Sequence, residues 1–361
     1  MAASITAAPT DSYTVADQHL VYLLGTNVSL PLPDAFRFVI TVYEGTITGT
    51  LLGKFYLTPN PSNVGMFNLA EAVRGLCQVD DRTYGGTTVV HSLLANYFTR
   101  SNGNIKHFTV GVGEWNGSTE AINQDTSALF LVDGHFQISD GFNASFADYY
   151  GTASTKKYWL TDRTPASNII TINAAEDDEG VVAFLNRDAM SDVEQFTILL
   201  YDEAGVFITG TNTTIVINAT NGAQSPGATS QYYYGYLCYF GVYPANIDAM
   251  TSLLTNNPTW GYYTITPQIT AFAIQRGNRL RINKNCRPLK HQAVQLAWAN
   301  SVGSWDYLRF DGRKLKTVTR EEKTYRKQIG NYNAASFSFN TFDREITPYQ
   351  VEAKETYQLN G

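Results

Sequence analysis

Hydrophobic and polar residues alternate along much of this chain with a period of two. The clearest stretch, residues 36–43, reads Phe-Arg-Phe-Val-Ile-Thr-Val-Tyr and leads through Glu44-Gly45 into a second apolar run at 51–57. Alternation predicts strands with one buried face, and a short turn with Gly between two such runs predicts a hairpin. Similar runs occur at 107–112, 128–138, 196–201 and 280–282. The pattern therefore predicts an all-β protein.

One segment has helical spacing instead. Asn68 is a favourable N-cap residue and Glu71 follows it three positions later, as in a capping box. Ala70, Val73 and Cys77 then recur at the spacing of one helix face. We predict one short helix after Asn68.

The chain has 361 residues, which exceeds the size at which single hydrophobic cores stop growing. We expect two or three tandem β-sandwich domains of the immunoglobulin or fibronectin type. The expected division is an N-terminal arm (1–19), a β-sandwich (20–150), a linker rich in Gly, Thr, Ser and Lys (151–180), a second β-sandwich (181–285) and a basic third domain rich in hairpins (286–361).

Only 16% of the residues are charged, well below the usual quarter, so Thr, Ser, Asn and Gly supply most of the polar positions. The chain also has 23 Tyr and 19 Phe. This composition is typical of β-sandwiches and of proteins whose surfaces are largely covered by neighbours.

Charge is distributed unevenly along the sequence. The net charge is −6, yet residues 276–330 contain 14 Lys and Arg against 4 Asp and Glu. The basic residues alternate with apolar ones, which predicts strands with one positive face, and Asp311-Gly312 predicts a hairpin turn between 305–310 and 314–320. The candidate docking face around this turn comprises Arg309, Arg313, Lys314, Lys316 and Arg320.

Three interpretations of this basic segment remain open. It could dock an acidic neighbour, for example the acidic first half of another copy of the chain. Its charges could instead protect edge strands against aggregation. Binding of nucleic-acid phosphates, with Trp305 and Tyr307 available for stacking, ranks behind both because the isoelectric point is about 5.4.

No motif in the sequence predicts catalysis, a cofactor or a metal site. The five histidines are scattered, at positions 19, 91, 107, 135 and 291, and the acidic run 176–179 lacks the spacing of a calcium-binding loop. Cys77, Cys238 and Cys286 are too far apart in sequence for a metal site and indicate buried thiols in a reducing compartment. We expect a protein that is not an enzyme.

No signal peptide or transmembrane segment is predicted. Residues 1–18 lack a basic start followed by a long apolar run, and no stretch approaches the roughly 18 apolar residues of a membrane span. We therefore expect no membrane association.

Two groups of residues resemble a known family. The first group is 36–43, Lys54, the Pro-Asn-Pro turn at 59–61 and Gly65-Met66-Phe67-Asn68-Leu69, and the second is Cys286-Arg287-Pro288 followed by 299–310. They are similar to large uncharacterised structural proteins encoded by tailed bacteriophages of marine and gut Bacteroidota. The relatives continue beyond the position of Gly361, which implies an incomplete third domain.

The resemblance implies a virion component without known activity, made in the host cytoplasm. We expect a tail or tail-tip assembly protein whose partners are other copies of itself and neighbouring virion proteins. The alternative is a cell-surface carbohydrate-binding or adhesin β-sandwich, in which exposed Tyr and Trp would form sugar platforms.

Overall fold

The computed structural model describes residues 3–9, 11–29, 31–80, 91, 93, 95–101, 103–136, 146–150, 155–185, 193–221, 237–269, 274–285, 291, 293–326 and 346–359. The strands of the first half are β1 (Ala3–Ala7), β2 (Tyr13–Asp17), β3 (Val21–Thr26), β4 (Arg37–Glu44), β5 (Thr50–Leu57), β6 (Gly65–Asn68), β7 (Phe98–Arg100), β8 (Ile105–Trp115) and β9 (Glu120–His135). The two helices are α1 (Ala70–Val73) and α2 (Pro244–Thr251), with 3-10 turns at Ala147–Tyr149 and Ala219–Asn221.

The strands of the second half are β10 (Trp159–Leu160), β11 (Ile169–Ala174), β12 (Val181–Leu185), β13 (Gln195–Asp202), β14 (Thr213–Val216), β15 (Leu237–Gly241), β16 (Trp260–Ile269), β17 (Ile274–Gln275), β18 (Arg279–Lys284), β19 (Val294–Ala299), β20 (Trp305–Phe310), β21 (Lys314–Arg326) and β22 (Ile346–Leu359). The predicted all-β class is confirmed. Among the described residues no helix is long and apolar enough to cross a membrane.

The predicted short helix is present as α1. The side-chain oxygen of Asn68 accepts the N–H groups of Leu20 and Ala70, at 3.0 and 3.3 Å. The helix itself begins after Leu69, one residue later than the pattern suggested. The second helix, α2, was not predicted. Pro244 lies in its first turn, where the missing proline N–H removes no hydrogen bond.

The first sandwich packs the sheet β1-β3-β6 against the sheet β2-β9-β8-β4-β5. The predicted hairpin is confirmed, since β4 and β5 pair from Phe38 opposite Leu57 to Glu44 opposite Thr50. Phe38, Ile40 and Val42 on β4 are buried in its core. Period-two alternation thus placed this strand pair correctly.

The second sandwich packs the sheet β10-β12-β15-β7 against β11-β18-β16-β13-β14, with β17 paired to β16. Aromatic rings fill its centre. Phe196 contacts both Trp159 and Phe240, with ring centroids 5.1 and 4.9 Å away, and Phe184 contacts it edge-on at 5.2 Å. Aromatic pairs at such distances add stability beyond their buried area.

Residues from the first half of the chain also contribute to the second sandwich. Strand β7, from the first half of the chain, pairs with β15 of the second sandwich. Tyr13 and Val15 on β2 pack into the second core, so part of the segment 1–19 is strand and not a free arm. Such pairings between distant segments leave no local sequence pattern.

The segment 151–180, expected as a linker, supplies core strands where it is described. Tyr158 and Trp159 are fully buried, and the indole N–H of Trp159 donates to the backbone oxygen of Asn278 at 2.8 Å. Strand β11 pairs in parallel with β18. The polar residues 155–157 favoured the linker interpretation, although a buried apolar pair follows them directly.

The chain forms two compact units. Unit 1 comprises Met1–Cys286 and Ala297–Tyr307, and therefore contains both sandwiches. Unit 2 comprises Arg287–Leu296 and Leu308–Gly361. Residues 297–307, which were expected in the basic third domain (286–361), therefore belong to unit 1. Asp306 and Tyr307 on β20 are buried there.

Candidate interaction surface

Unit 2 contains an exposed two-stranded β-ribbon formed by β21 and β22, which we call the ribbon. The strands pair antiparallel from Lys314 opposite Leu359 to Arg326 opposite Ile346, with a register shift between Lys323 and Thr324. At about 3.4 Å per residue the thirteen residues of β21 extend over roughly 40 Å.

The described side chains of the ribbon are almost all exposed. Those of 314–325 are exposed without exception, including Leu315 at 48% and Val318 at 55% of their full accessible area. Tyr357 on the opposite strand is 52% exposed. A two-stranded ribbon with no covered face is marginally stable in water at best. Its apolar side chains are therefore available for a partner.

The two faces of the ribbon differ in composition. Residues directly opposite each other in an antiparallel ladder project from the same face. The face that carries Val318 also carries Val351, Ala353, Tyr357 and Leu359, and we call it the apolar face. The other face carries mainly polar side chains, namely Thr317, Thr319, Glu321, Glu352, Lys354, Thr356 and Gln358. Between 315 and 321, Leu315 is the large aliphatic side chain on that face.

The structure brings three of the five candidate docking residues together. Lys314, Lys316 and Arg320 alternate along β21 and therefore project from the apolar face. Arg313 is exposed and immediately precedes the ribbon. Arg309 does not belong to this exposed set, because its side chain is only 6% exposed and its Nε lies 2.7 Å from Oδ1 of Asp311.

Carboxylates on the ribbon balance much of this positive charge. The Nζ of Lys316 lies 2.7 Å from Oε1 of Glu355 and 5.5 Å from the ring centre of Tyr357, whose hydroxyl donates to Glu355 at 3.0 Å. The hydrogen bonds with Glu355 and Tyr357 raise the pKa of Lys316 above its usual value. Arg320 similarly pairs with Glu322 at 3.0 Å. The face is amphipathic and not uniformly positive.

The predicted hairpin at Asp311-Gly312 is wrong. Strand β20 pairs with β19, and β21 pairs with β22. A two-residue type I′ hairpin needs positive φ at both central residues, and neither Asp311 nor Gly312 is among the described residues with positive φ. The carboxylate of Asp311 instead holds the guanidinium of Arg309.

The turn that does form lies between β19 and β20. The side-chain oxygen of Asn300 accepts the N–H groups of Val302 and Ser304, at 3.2 and 2.8 Å, and Gly303 has a φ of 80°. An added Cβ at Gly303 would lie 2.1 Å from the backbone oxygen of Asp133. Glycine is required at this turn because the backbone of β9 passes close by.

A row of aromatic and polar side chains crosses the sheet that contains β13 and β16. The rings of Tyr201 and Tyr262 stack with centroids 4.7 Å apart, and the guanidinium of Arg281 lies 3.8 Å from the centre of the Tyr262 ring. Sugars stack on free aromatic faces. Both faces of Tyr262 are covered by neighbours, so this ring does not provide a sugar platform.

His107, His91 and Asp178 make structural contacts. His107 is buried and stacks on Phe130, whereas Nδ1 of His91 lies 2.6 Å from the hydroxyl of Tyr307. Asp178 is buried and accepts the N–H of Ala175. In the parts of the chain that the structure describes, no group of His, Cys, Asp and Glu has the arrangement of a metal site.

Unit 1 contains a buried polar network that the sequence analysis did not predict. Asp306 accepts the hydroxyl of Thr161 at 2.6 Å, the N–H of Asp162 at 3.0 Å and the side-chain amide of Asn300 at 3.2 Å. The guanidinium of Arg163 lies 3.8 Å from the same carboxylate. These partners join the start of the second sandwich to β20, which is a structural role.

A second network surrounds the hydroxyl of Tyr239. The side-chain amide of Asn104 donates to it at 2.9 Å, and it lies 3.2 Å from a carboxylate oxygen of Asp80. Asp80 also accepts the Ser101 hydroxyl at 2.7 Å. Full burial raises the pKa of Tyr239 well above its usual value. These polar residues are far apart in the sequence, so no local pattern predicts that they form a network.

No protein-family model matches this chain, and no curated protein matches it.

Proposed function

We propose that this protein is a structural component of a phage virion, without enzymatic activity, which assembles into the tail or tail tip through protein contacts. The ribbon is the observation that carries the assembly role. It is a long structure with apolar side chains on one face, and its described side chains are almost all exposed. Apolar surface of this kind marks interaction sites in soluble proteins.

The virion as the place of assembly is supported by the sequence resemblance to structural proteins of tailed phages. The all-β fold and the low content of charged residues agree with a protein that other subunits surround. We place it in the virion after synthesis in the host cytoplasm, with other copies and neighbouring virion proteins as its partners.

The carbohydrate-binding alternative has less support. Tyr201 and Tyr262 stack on each other and on Arg281, so their rings are engaged within the sheet. Tyr56 is exposed, but its hydroxyl donates to Glu120 and its ring meets Trp115 at an angle of 77°. Neither group forms the open, flat aromatic face that stacks on a sugar.

The virion proposal is tested on purified particles of the phage that encodes this chain. Antibodies raised against unit 1 are used for gold labelling in electron microscopy, and peptides of the particles are identified by mass spectrometry. We expect the chain among the particle peptides and gold particles clustered at the tail. A chain absent from purified particles but secreted or bound to the host surface would contradict the proposal and favour the adhesin.

A further inference from the structure

We propose that the apolar face of the ribbon binds the same face of a second copy of this chain, with the two ribbons antiparallel and related by a two-fold axis. This inference rests on the proposed assembly function, since it names the partner of the same ribbon. The apolar and charged side chains that support it lie on the nine residue pairs from Lys314–Leu359 to Glu322–Val351, each of which we call a rung and number by its β21 residue.

The apolar side chains form a continuous stripe on one face. Leu359, Tyr357, Val318, Ala353 and Val351 follow one another along the successive rungs of this face. A two-fold axis brings one patch against itself, so the patch must be self-complementary. A stripe of medium-sized apolar groups meets this requirement, because each copy contributes the same groups and each can cover the other.

The charges favour a second copy over a partner of a single charge. The rungs formed by 314–317 and 356–359 carry Lys314 and Lys316 and no acid. On the apolar face the next rungs, formed by 318–322 and 351–355, carry Glu322 and Glu355 against Arg320. The apolar face is therefore positive in one stretch and has an excess of acid in the adjacent one.

An antiparallel arrangement of two copies brings these opposite charges together along the stripe. With a two-fold axis between rungs 317 and 318, the basic stretch of each copy faces the acidic stretch of the other. A parallel arrangement in register places like charges together, which is unfavourable. A uniformly acidic or basic partner matches only half of the face. The charge pattern thus points to an antiparallel second copy.

The size of the contact predicts a weak association. Nine rungs of two strands form a face of roughly 30 by 10 Å, so two such faces bury about 600 Å² in total. Stable protein pairs usually bury about 1,200 Å² or more. The pair should therefore form reversibly in the micromolar range, and many copies held together in one particle would reinforce it.

The test uses sedimentation velocity of the full-length chain over the micromolar range at low salt. One variant, Lys314→Glu with Lys316→Glu, makes both stretches acidic. The other, Glu322→Lys with Glu355→Lys, makes both stretches basic. We expect each variant alone to associate at least tenfold more weakly than the wild type, since like charges then face each other. An equimolar mixture should recover association as a mixed dimer.

A second pair of variants tests the apolar stripe and has a matched control. Val318→Ser removes an apolar group from the apolar face, and Leu315→Ser removes a similarly exposed one from the opposite face. We expect about a tenfold loss of association for Val318→Ser, because a two-fold contact loses the side chain twice. Leu315→Ser should associate like the wild type.

Three outcomes would overturn the inference. They are a wild type that stays monomeric throughout, a mixture of the charge variants that associates no better than either alone, and equal effects of Val318→Ser and Leu315→Ser. If the wild type is monomeric but the charge variants fail to enter particles, the face binds a different virion protein. Because particle labelling tests the virion role separately, either proposal can fail while the other stands.

Discussion

Single buried polar residues affect the stability of this protein, and the contribution of His107 depends on pH. Its ring is 8% exposed and stacks on Phe130 with centroids 4.7 Å apart. Burial lowers the pKa of His107 below its usual value. In the unfolded chain a histidine titrates near pH 6.5, so the unfolded state takes up this proton first as pH falls.

We therefore expect the free energy of unfolding to decrease as pH is lowered from 7 through about 6.5 toward 5. The His107→Gln variant should show a smaller decrease over this window, measured by denaturant titration at several pH values. His19→Gln, at an exposed position, is the control and should follow the wild type. Equal pH dependence in wild type and His107→Gln would contradict the role given to burial.

Asp306 is the residue with the greatest expected effect on stability among the polar groups described above. Its carboxylate is 3% exposed and accepts hydrogen bonds from Thr161, Asp162 and Asn300. Asp306→Ala leaves these donors buried without their acceptor, so we expect a loss of about 2–4 kcal/mol in unfolding free energy.

Chemical denaturation measures this loss, with Asp34→Ala at an exposed position as control. Asp306→Asn retains acceptor oxygen on the side chain and should lose less than Asp306→Ala. An Asp306→Ala variant as stable as the control would show that the network contributes little.

At the level of elements, the end of α2 offers a direct test of local backbone strain. Ser252 terminates the helix with a φ of 53°, and its N–H donates to the backbone oxygen of Asp248 at 2.7 Å. Residues other than glycine are strained in this left-handed conformation. We expect Ser252→Gly to raise the free energy of unfolding by about 0.5–1 kcal/mol.

Thermal and denaturant unfolding provide the comparison, and Ser252→Ala, which keeps the Cβ, should bring no gain. A glycine variant less stable than the wild type would mean that the entropy gained by its unfolded chain outweighs the relief of strain.

Elements formed by neighbouring segments could be predicted from the sequence, and elements formed by distant segments could not. Strands β4 and β5 follow from alternation and a short turn. The parallel pair of β11 and β18 joins residues near 170 to residues near 280, and no local pattern encodes such a pairing. Asp311-Gly312 resembled a hairpin turn, but Asn300 and Gly303 formed the turn instead.

The candidate surface was likewise predictable only in the part that neighbouring residues form. Lys314, Lys316 and Arg320 could be assigned to one face from their spacing alone. Arg320 pairs with Glu322 on its own strand. The pairing of Lys316 with Glu355, and the apolar stripe that β22 contributes, depend on the register between strands separated by some twenty residues of sequence. The sequence indicated where the surface lies, whereas the register defines its chemical character.

At the level of the whole molecule, unit 1 has two extensive hydrophobic cores, and the exposed ribbon lies in unit 2. We therefore assign stability to unit 1 and association to the ribbon. In an uncovered ribbon the backbone hydrogen bonds open readily, and a partner that covers the apolar face should slow this opening.

Hydrogen exchange of the full-length chain, compared at dilute and concentrated conditions by mass spectrometry, tests this account most directly. We expect peptides covering 314–322 and 351–359 to exchange more slowly in the concentrated sample, while peptides from β4, β8 and β13 exchange at the same rate in both. Ribbon peptides that exchange equally in the two samples, or concentration-dependent protection confined to unit 1, would contradict the assignment of association to the ribbon.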